Sequence, residues 1–497
     1  MKFRSISVCL IVLMLLLSFG CASSGNGTET SGTETEAETV QVYPRPTVSD
    51  NTLADFDGKT FEILAWNGAS HVEFEGTRDE SASVLGEAIY RRNLTVQTKL
   101  NCTLEFSYVG GSVNEAESYI KEATNSDKYD IFATHNLVMP RLAIKGECAN
   151  LIELQAEKSF DLSSPWWPNN LTEKLSYNGK LYFCTGDIST NYFASLYGVF
   201  FNKDILKKND VDPASIYRMV ENGMWTLEVL AKYSADCAGE VDGVVNYGFA
   251  LGVNPEYVEA FYCAATFTPT VKNEDGTLSF TMTEKELNEE KTFLKNLNEL
   301  FMSEGSSVSW SNSNNGTVRF TSGIAAFTVS PMSYAKSIAG KFNYGIIPLP
   351  VAKVRTDTYL TPISDGYTFY SVHAKNVEND ASAATVLQSL GATAYNINGD
   401  DYYRAILGIG LDMADPNVRM VENMKENGCF EFFECWLSAY SYDGAETIKK
   451  PSQLFADCVI NSSATHIAEL NYGQLIEKYR PIYSDAFNEF IKNISGS

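Results

Sequence analysis

The first folded signal in the chain is a short apolar run, Phe61-Glu62-Ile63-Leu64-Ala65-Trp66, bounded by Asp57-Gly58 and Asn67-Gly68. Such a run between turn formers predicts a strand. Over 83–100 the apolar positions Val84, Ile89, Leu94 and Val96 recur at helical spacing, which predicts a helix. Residues 104–109 read as a second strand, 115–123 as a second helix and 129–133 as a third strand. That β-α-β-α-β order predicts a parallel sheet with helices on both faces. Residues 195–201 and 247–251 are strands of a second α/β unit. Thr283 with Glu286 three places on forms a capping-box pattern, and Leu287, Leu294, Leu297 and Phe301 follow at helical spacing. The polar stretch 303–317, which carries Trp310, reads as loop. Extended structure returns at 324–329, 344–350 and 367–372, and helices dominate from Ala383 onward.

The N-terminus has a different pattern. Lys2 and Arg4 precede an apolar stretch, 6–19, that ends at Gly20-Cys21. A cationic start, an apolar core and a small residue before the cut describe a secretory signal. The stretch is too short for a membrane span, and no later segment approaches the ~20 apolar residues a span needs. A Cys directly after the small residue resembles the lipobox of bacterial lipoproteins, although Ser18 and Phe19 depart from its usual residues. The resemblance implies that Cys21 is acylated, so that the chain is exported and lipid-anchored to the outer face of the cytoplasmic membrane. Residues 22–40 are almost only Ser, Gly, Thr, Glu, Asn and Ala, a composition that cannot bury a core. The expected organisation starts with a signal peptide at 1–20 and an acidic tether at 21–44.

Charge narrows the partners. The 38 Lys and Arg against 62 Asp and Glu leave a formal charge of −24, which repels a phosphate backbone, so no nucleic-acid partner is expected. Four histidines, none close to another, provide no His-based metal motif. The acidic stretch 236–243 lacks the alternating oxygen ligands and closing Glu of a calcium loop, and no metal or cofactor is expected. Eight cysteines beyond Cys21 show no CxxC spacing and read as small buried hydrophobes. Two S-x-x-K matches, at Ser118 and Ser333, resemble penicillin-interacting enzymes, but the one Ser-Asp-Asn, at 49–51, lies in the N-terminal tether ahead of both and no Lys-Thr-Gly occurs. No catalytic residues are assigned.

Five stretches in order carry a family resemblance: 180–189 (Lys-Leu-Tyr-Phe-Cys-Thr-Gly-Asp-Ile-Ser), 199–206 (Val-Phe-Phe-Asn-Lys-Asp-Ile-Leu), 221–226 (Glu-Asn-Gly-Met-Trp-Thr), 320–327 (Phe-Thr-Ser-Gly-Ile-Ala-Ala-Phe) and 344–350 (Tyr-Gly-Ile-Ile-Pro-Leu-Pro). They resemble the extracellular solute-binding proteins of ABC importers, in the carbohydrate-binding family that includes maltose-binding protein. The resemblance implies an α/β, two-lobed periplasmic-binding-protein-like fold, each lobe a sheet flanked by helices, with a hinge and an interlobe ligand cleft. It implies lobe one from 45–153 and 319–372, and lobe two from 154–318 and the C-terminal helices of 373–497. It also implies a monomer, with a small-molecule ligand (a carbohydrate) and ABC permease subunits in the membrane as partners. A receptor of the same fold for peptides or polyamines is the alternative, followed by a surface glycosidase or adhesin.

A sugar presents an apolar C–H face and a rim of hydroxyls, so its site wants aromatic platforms and planar polar groups. Trp66 and Asn67 end the first strand and His135 the third, where a cleft would lie. Trp166 and Trp167, between Pro165 and Pro168, must sit on a loop, one expected as platform and one as plug. Asp187 follows an extended segment and is a hydroxyl acceptor or a cap. Tyr192 is preferred to Tyr197, and Trp310, Asp365 and Tyr367 complete the expected contacts. Trp225, before Thr226, reads as packing at a helix start.

Overall fold

The computed structural model describes residues 43–495, apart from residues 51, 68–72, 79–82, 111–114, 242, 253, 310–314, 355–357, 441–447 and 461–464. The expected signal peptide, Cys21 and Trp310 lie outside the described residues.

In chain order the strands are β1 (Lys59–Trp66), β2 (Cys102–Val109), β3 (Ile131–His135), β4 (Tyr197–Asn202), β5 (Gly239–Val241), β6 (Val244–Leu251), β7 (Thr270–Lys272), β8 (Leu278–Phe280), β9 (Ser306–Val308), β10 (Ala325–Pro331), β11 (Tyr344–Ile347) and β12 (Thr368–Val372). The first sheet has the order β12-β3-β1-β2. β1 runs parallel to both β2 and β3, and β12 is antiparallel to β3. The helices Val84–Leu100 and Ala116–Thr124 connect the parallel strands, as the β-α-β-α-β pattern predicts. Ser83 caps the first of them, its hydroxyl accepting from the Gly86 N–H at 3.0 Å.

The second sheet has the order β11-β4-β10-β6-β5, with β9 also on β6. Of the strands in 319–372, β12 alone lies in the first sheet, and β10 and β11 lie in the second. β10 lies between β4, antiparallel, and β6, parallel, and β11 pairs with β4. These buried strands satisfy their backbone groups only beside one another, which puts 325–347 in the second sheet. The stretch 303–317, read as loop, contributes β9.

The C-terminal helices divide as well. Val377–Ile397 packs on Val84–Leu100 beside the first sheet, whereas Pro451–Ile460 packs on Pro255–Ala264, the helix after β6. Val377–Ile397 is rich in small buried residues (Ala383, Ala384, Gly391, Ala392, Ala394) that allow close approach. Among the described residues, no helix is long and apolar enough to cross a membrane.

Local signals hold where they were strong. Thr283 and Glu286 form a reciprocal capping box at the start of Glu284–Met302. Thr283→Ala should cost about 1 kcal/mol of stability, read from a denaturant midpoint. Trp225 is fully buried, its indole N–H donating to the Pro348 carbonyl at 3.0 Å, and Thr226 caps the next helix.

Candidate functional site

The ends of β1 and β3 and the start of β12 bring several predicted residues together. The Trp66 indole N–H donates to Thr368 Oγ1 at 3.0 Å, and its ring meets His135 edge to face at 5.0 Å. His135 Nδ1 accepts from the Leu137 N–H at 3.1 Å. Burial first, with Lys450's charge added, pushes the imidazole down to about 4 against the pull of Asp365. The ring is therefore neutral at pH 7, and with Nδ1 accepting, its proton sits on Nε2. Asn136 Nδ2 donates to Asp365 Oδ1 at 2.8 Å, and its Oδ1 accepts from the Gly366 N–H at 3.0 Å. Gly366 has φ +100°, a turn that favours glycine. Asn136 thus pins the turn that presents Asp365, whose side chain stays 37% exposed. Asn67, at the end of β1, is exposed.

From the other side come residues that the sequence did not single out. Lys450 Nζ lies 3.5 Å from Asp365 Oδ2. Burial would lower the lysine's pKa, but Asp365, Glu434 and Glu259 outweigh it and hold the ammonium charged. Asp365, which burial would raise, is held below the usual carboxylate range by Lys450, Asn136 and His135. Glu259 is pushed up to about 8 by burial and by Glu434, Asp365 and Glu256, against Lys450. Glu434 accepts from the Ser452 N–H at 2.8 Å and its hydroxyl at 2.9 Å. Glu256 Oε2 accepts from Ser364 Oγ at 2.7 Å and from Tyr197 OH at 3.2 Å. Tyr257 meets Tyr197 edge to face at 5.8 Å. The strand ends of the first sheet thus face the first turns of Pro255–Ala264 and Pro451–Ile460. Asn254-Pro255 and Lys450-Pro451 did mark these helix starts in the sequence, but no local pattern says that residue 450 faces residue 365.

The other predicted contacts are in the core. Trp166 and Trp167 are each 1% exposed, so neither is a platform. The Trp167 indole N–H donates to Gln388 Oε1 at 3.2 Å, and its ring packs on Phe160 at 5.2 Å. A Cβ at Gly391 would stand 2.6 Å from the Trp166 ring, so both indoles fill the space that this glycine leaves.

Asp187 belongs to a buried ion network rather than to a ligand site. Its Oδ1 is 2.8 Å from Lys425 Nζ and 4.0 Å from Arg45 Nη1. Glu422 binds Arg45 at 2.9 Å and Lys425 at 3.1 Å, and accepts from Tyr403 OH at 2.6 Å. Despite its burial, those two cations take Glu422 down to about 2. Tyr192 is fully buried, its hydroxyl donating to the Lys425 carbonyl at 2.6 Å. Tyr367 packs between Tyr192 and Phe369. It is Tyr197, not Tyr192, that reaches the polar junction. Asp236, in the acidic stretch, pairs with Lys232 at 2.5 Å, and among the described residues no group of three or more His, Cys, Asp or Glu could hold a metal ion.

No protein-family model and no curated protein matches the chain by sequence. Solved structures do match in fold. The sugar-binding protein MalE of Xanthomonas citri has a TM-score of 0.57 at 13% identity, covering 87% of this chain and 99% of that one. UgpB of Mycobacterium tuberculosis, solved with glycerophosphocholine, scores 0.53 at 14% identity and covers 86% and 99%. The GacH receptor of Streptomyces glaucescens, solved unliganded and with acarbose, scores 0.52 at 16% identity and covers 86% and 99%. The chain has the two-lobed α/β fold that these proteins share.

Proposed function

Starting from the fold it shares with the sugar-binding protein MalE, we propose that this chain is the solute-binding component of an ABC importer, capturing a mono- or oligosaccharide between two lobes. It delivers the sugar to a membrane permease and carries out no chemistry on it. Cys21 is its lipid anchor and the acidic stretch after it the tether, which leaves the receptor at the outer face of the cytoplasmic membrane. The observation that carries this reading is the junction of Trp66, His135 and Asp365 with Glu256, Glu259 and Lys450. Imidazole N–H, ammonium and the protonated Glu259 carboxyl donate, and the Asp365 and Glu256 carboxylates accept, so both roles of a sugar hydroxyl are met, beside the ring of Tyr257. A ligand touching both sides favours the closed lobes by its differential affinity.

A thermal-shift panel of mono- and oligosaccharides tests the reading, with peptides and spermidine as comparators. At ~100 times its Kd a ligand stabilises the fold by roughly 2.7 kcal/mol. A rise with one carbohydrate class is the expected outcome, and no rise with any sugar would sink the reading. Asp365→Asn should then weaken that sugar roughly tenfold or more by calorimetry, since a hydrogen bond to a charged group contributes ~1.5–3 kcal/mol. The second reading, a polyamine receptor, draws on the three carboxylates that surround Lys450, and a rise with spermidine alone would select it.

A further inference from the structure

Among the eight cysteines from Cys102 to Cys458, Cys263, Cys429 and Cys435 are half-buried and the others buried. Two of the three accessible thiols meet. Cys263 lies in the last turn of Pro255–Ala264, and its side chain contacts the Cys429 thiol. Cys429 Sγ also stands 3.8 Å from the Cys263 carbonyl oxygen. Both backbones are already fixed. The Cys263 carbonyl accepts from the Thr266 N–H at 2.9 Å, and the Cys429 N–H donates to the Thr361 carbonyl at 2.7 Å. On the same short bridge, the Thr361 N–H donates to the Asn427 carbonyl at 2.8 Å. The two thiols thus meet between backbones that are held in place, as the partners of a disulfide must.

We propose that Cys263 and Cys429 are a disulfide-forming pair, a covalent staple between the helix that follows β6 and the segment bridged to Thr361. Thr361 precedes the stretch that leads into β12, so the staple ties the side of the second sheet to the chain's path back into the first. The oxidant is a disulfide of the surroundings. The Cys429 thiolate attacks one of its sulfurs and expels the other as a thiol, and Cys263 then displaces the bound half as a second thiol. The pair loses two protons and two electrons to one S–S bond, and one disulfide is reduced to two thiols. The hydrogen bond with Cys429, then burial and the nearby charges of Glu434 and Glu259, push the Cys263 thiol up, so its role is to resolve the mixed disulfide rather than to start the exchange.

The full chain, equilibrated in graded mixtures of oxidised and reduced glutathione, alkylated and digested, tests the proposal by peptide mass. The expected product is one cross-linked peptide pair carrying Cys263 and Cys429, two hydrogens lighter than its reduced parts, with Cys435 alkylated. The oxidised protein should also melt a few degrees above the reduced one, a gap that Cys429→Ser removes. Complete alkylation of Cys263 and Cys429 in the most oxidising mixture would overturn the proposal, as would a cross-link made to Cys435 instead. An oxidised–reduced melting gap that persists in Cys429→Ser would overturn it too.

Discussion

Arg45→Ala will destabilise the fold by about 3–5 kcal/mol, the usual cost of removing one partner from a buried ion pair. Arg45 and Glu422 have side chains 5% and 8% exposed, and the guanidinium also lies 3.7 Å over the Tyr395 ring. Its loss leaves Asp187 and Glu422 sharing Lys425 alone, away from water. The pH dependence follows the same arithmetic. Glu422 is held at about 2 in the fold, well below its ordinary value of 4.5. Its contribution is therefore complete above the unfolded value and is lost as pH falls from there toward 2. Urea midpoints at pH 7 and pH 3 should show the variant's deficit shrinking in acid. A deficit equal at both pH values would mean that Arg45 contributes packing rather than charge.

Trp167→Ala should cost about 3–5 kcal/mol by the same measurement, as large-to-small changes in cores do, while the affinity for any identified ligand stays unchanged. The sequence suggested a different result, a weakened ligand and an intact fold, because one of the two tryptophans between prolines was expected as a platform and the other as a plug. The loop assignment was sound, with the Trp167 backbone N–H closing a turn onto the Ser164 carbonyl at 3.1 Å. What the sequence could not show is that Gly391 and its small neighbours, far along the chain, leave a trough of indole size.

That contrast describes what was legible. Strands buried on both faces appear as apolar runs, helices repeat at their own period, and Thr283 with Glu286 is a local code, so the β-α-β-α-β unit and the capping box could be read directly. The strand-end rule also placed Trp66 and His135 together, because parallel strands bring their carboxyl ends to one edge, and Asp365 joins them because antiparallel β12 begins at that edge. Partners distant in sequence left no local trace. Nothing near residue 325 says that β10 inserts between β4 and β6, and nothing near Asp187 announces Arg45. A lone aspartate after an extended segment looks the same whether it awaits a hydroxyl or is already bound to a lysine.

The strap that Arg45 anchors has a consequence in time. Its hydrogen bond to Glu422 spans 377 residues, Val48 and Asn396 exchange two more, and β12 completes the first sheet long after β1 is made. As the chain emerges from the ribosome, its N-terminal half therefore has neither the last strand of its sheet nor the helix that covers it. Contacts of such range form late and slowly, because the loop must close before they reward it. Until residue 397 is available the first sheet lacks both its edge strand β12 and the helix packed beside it.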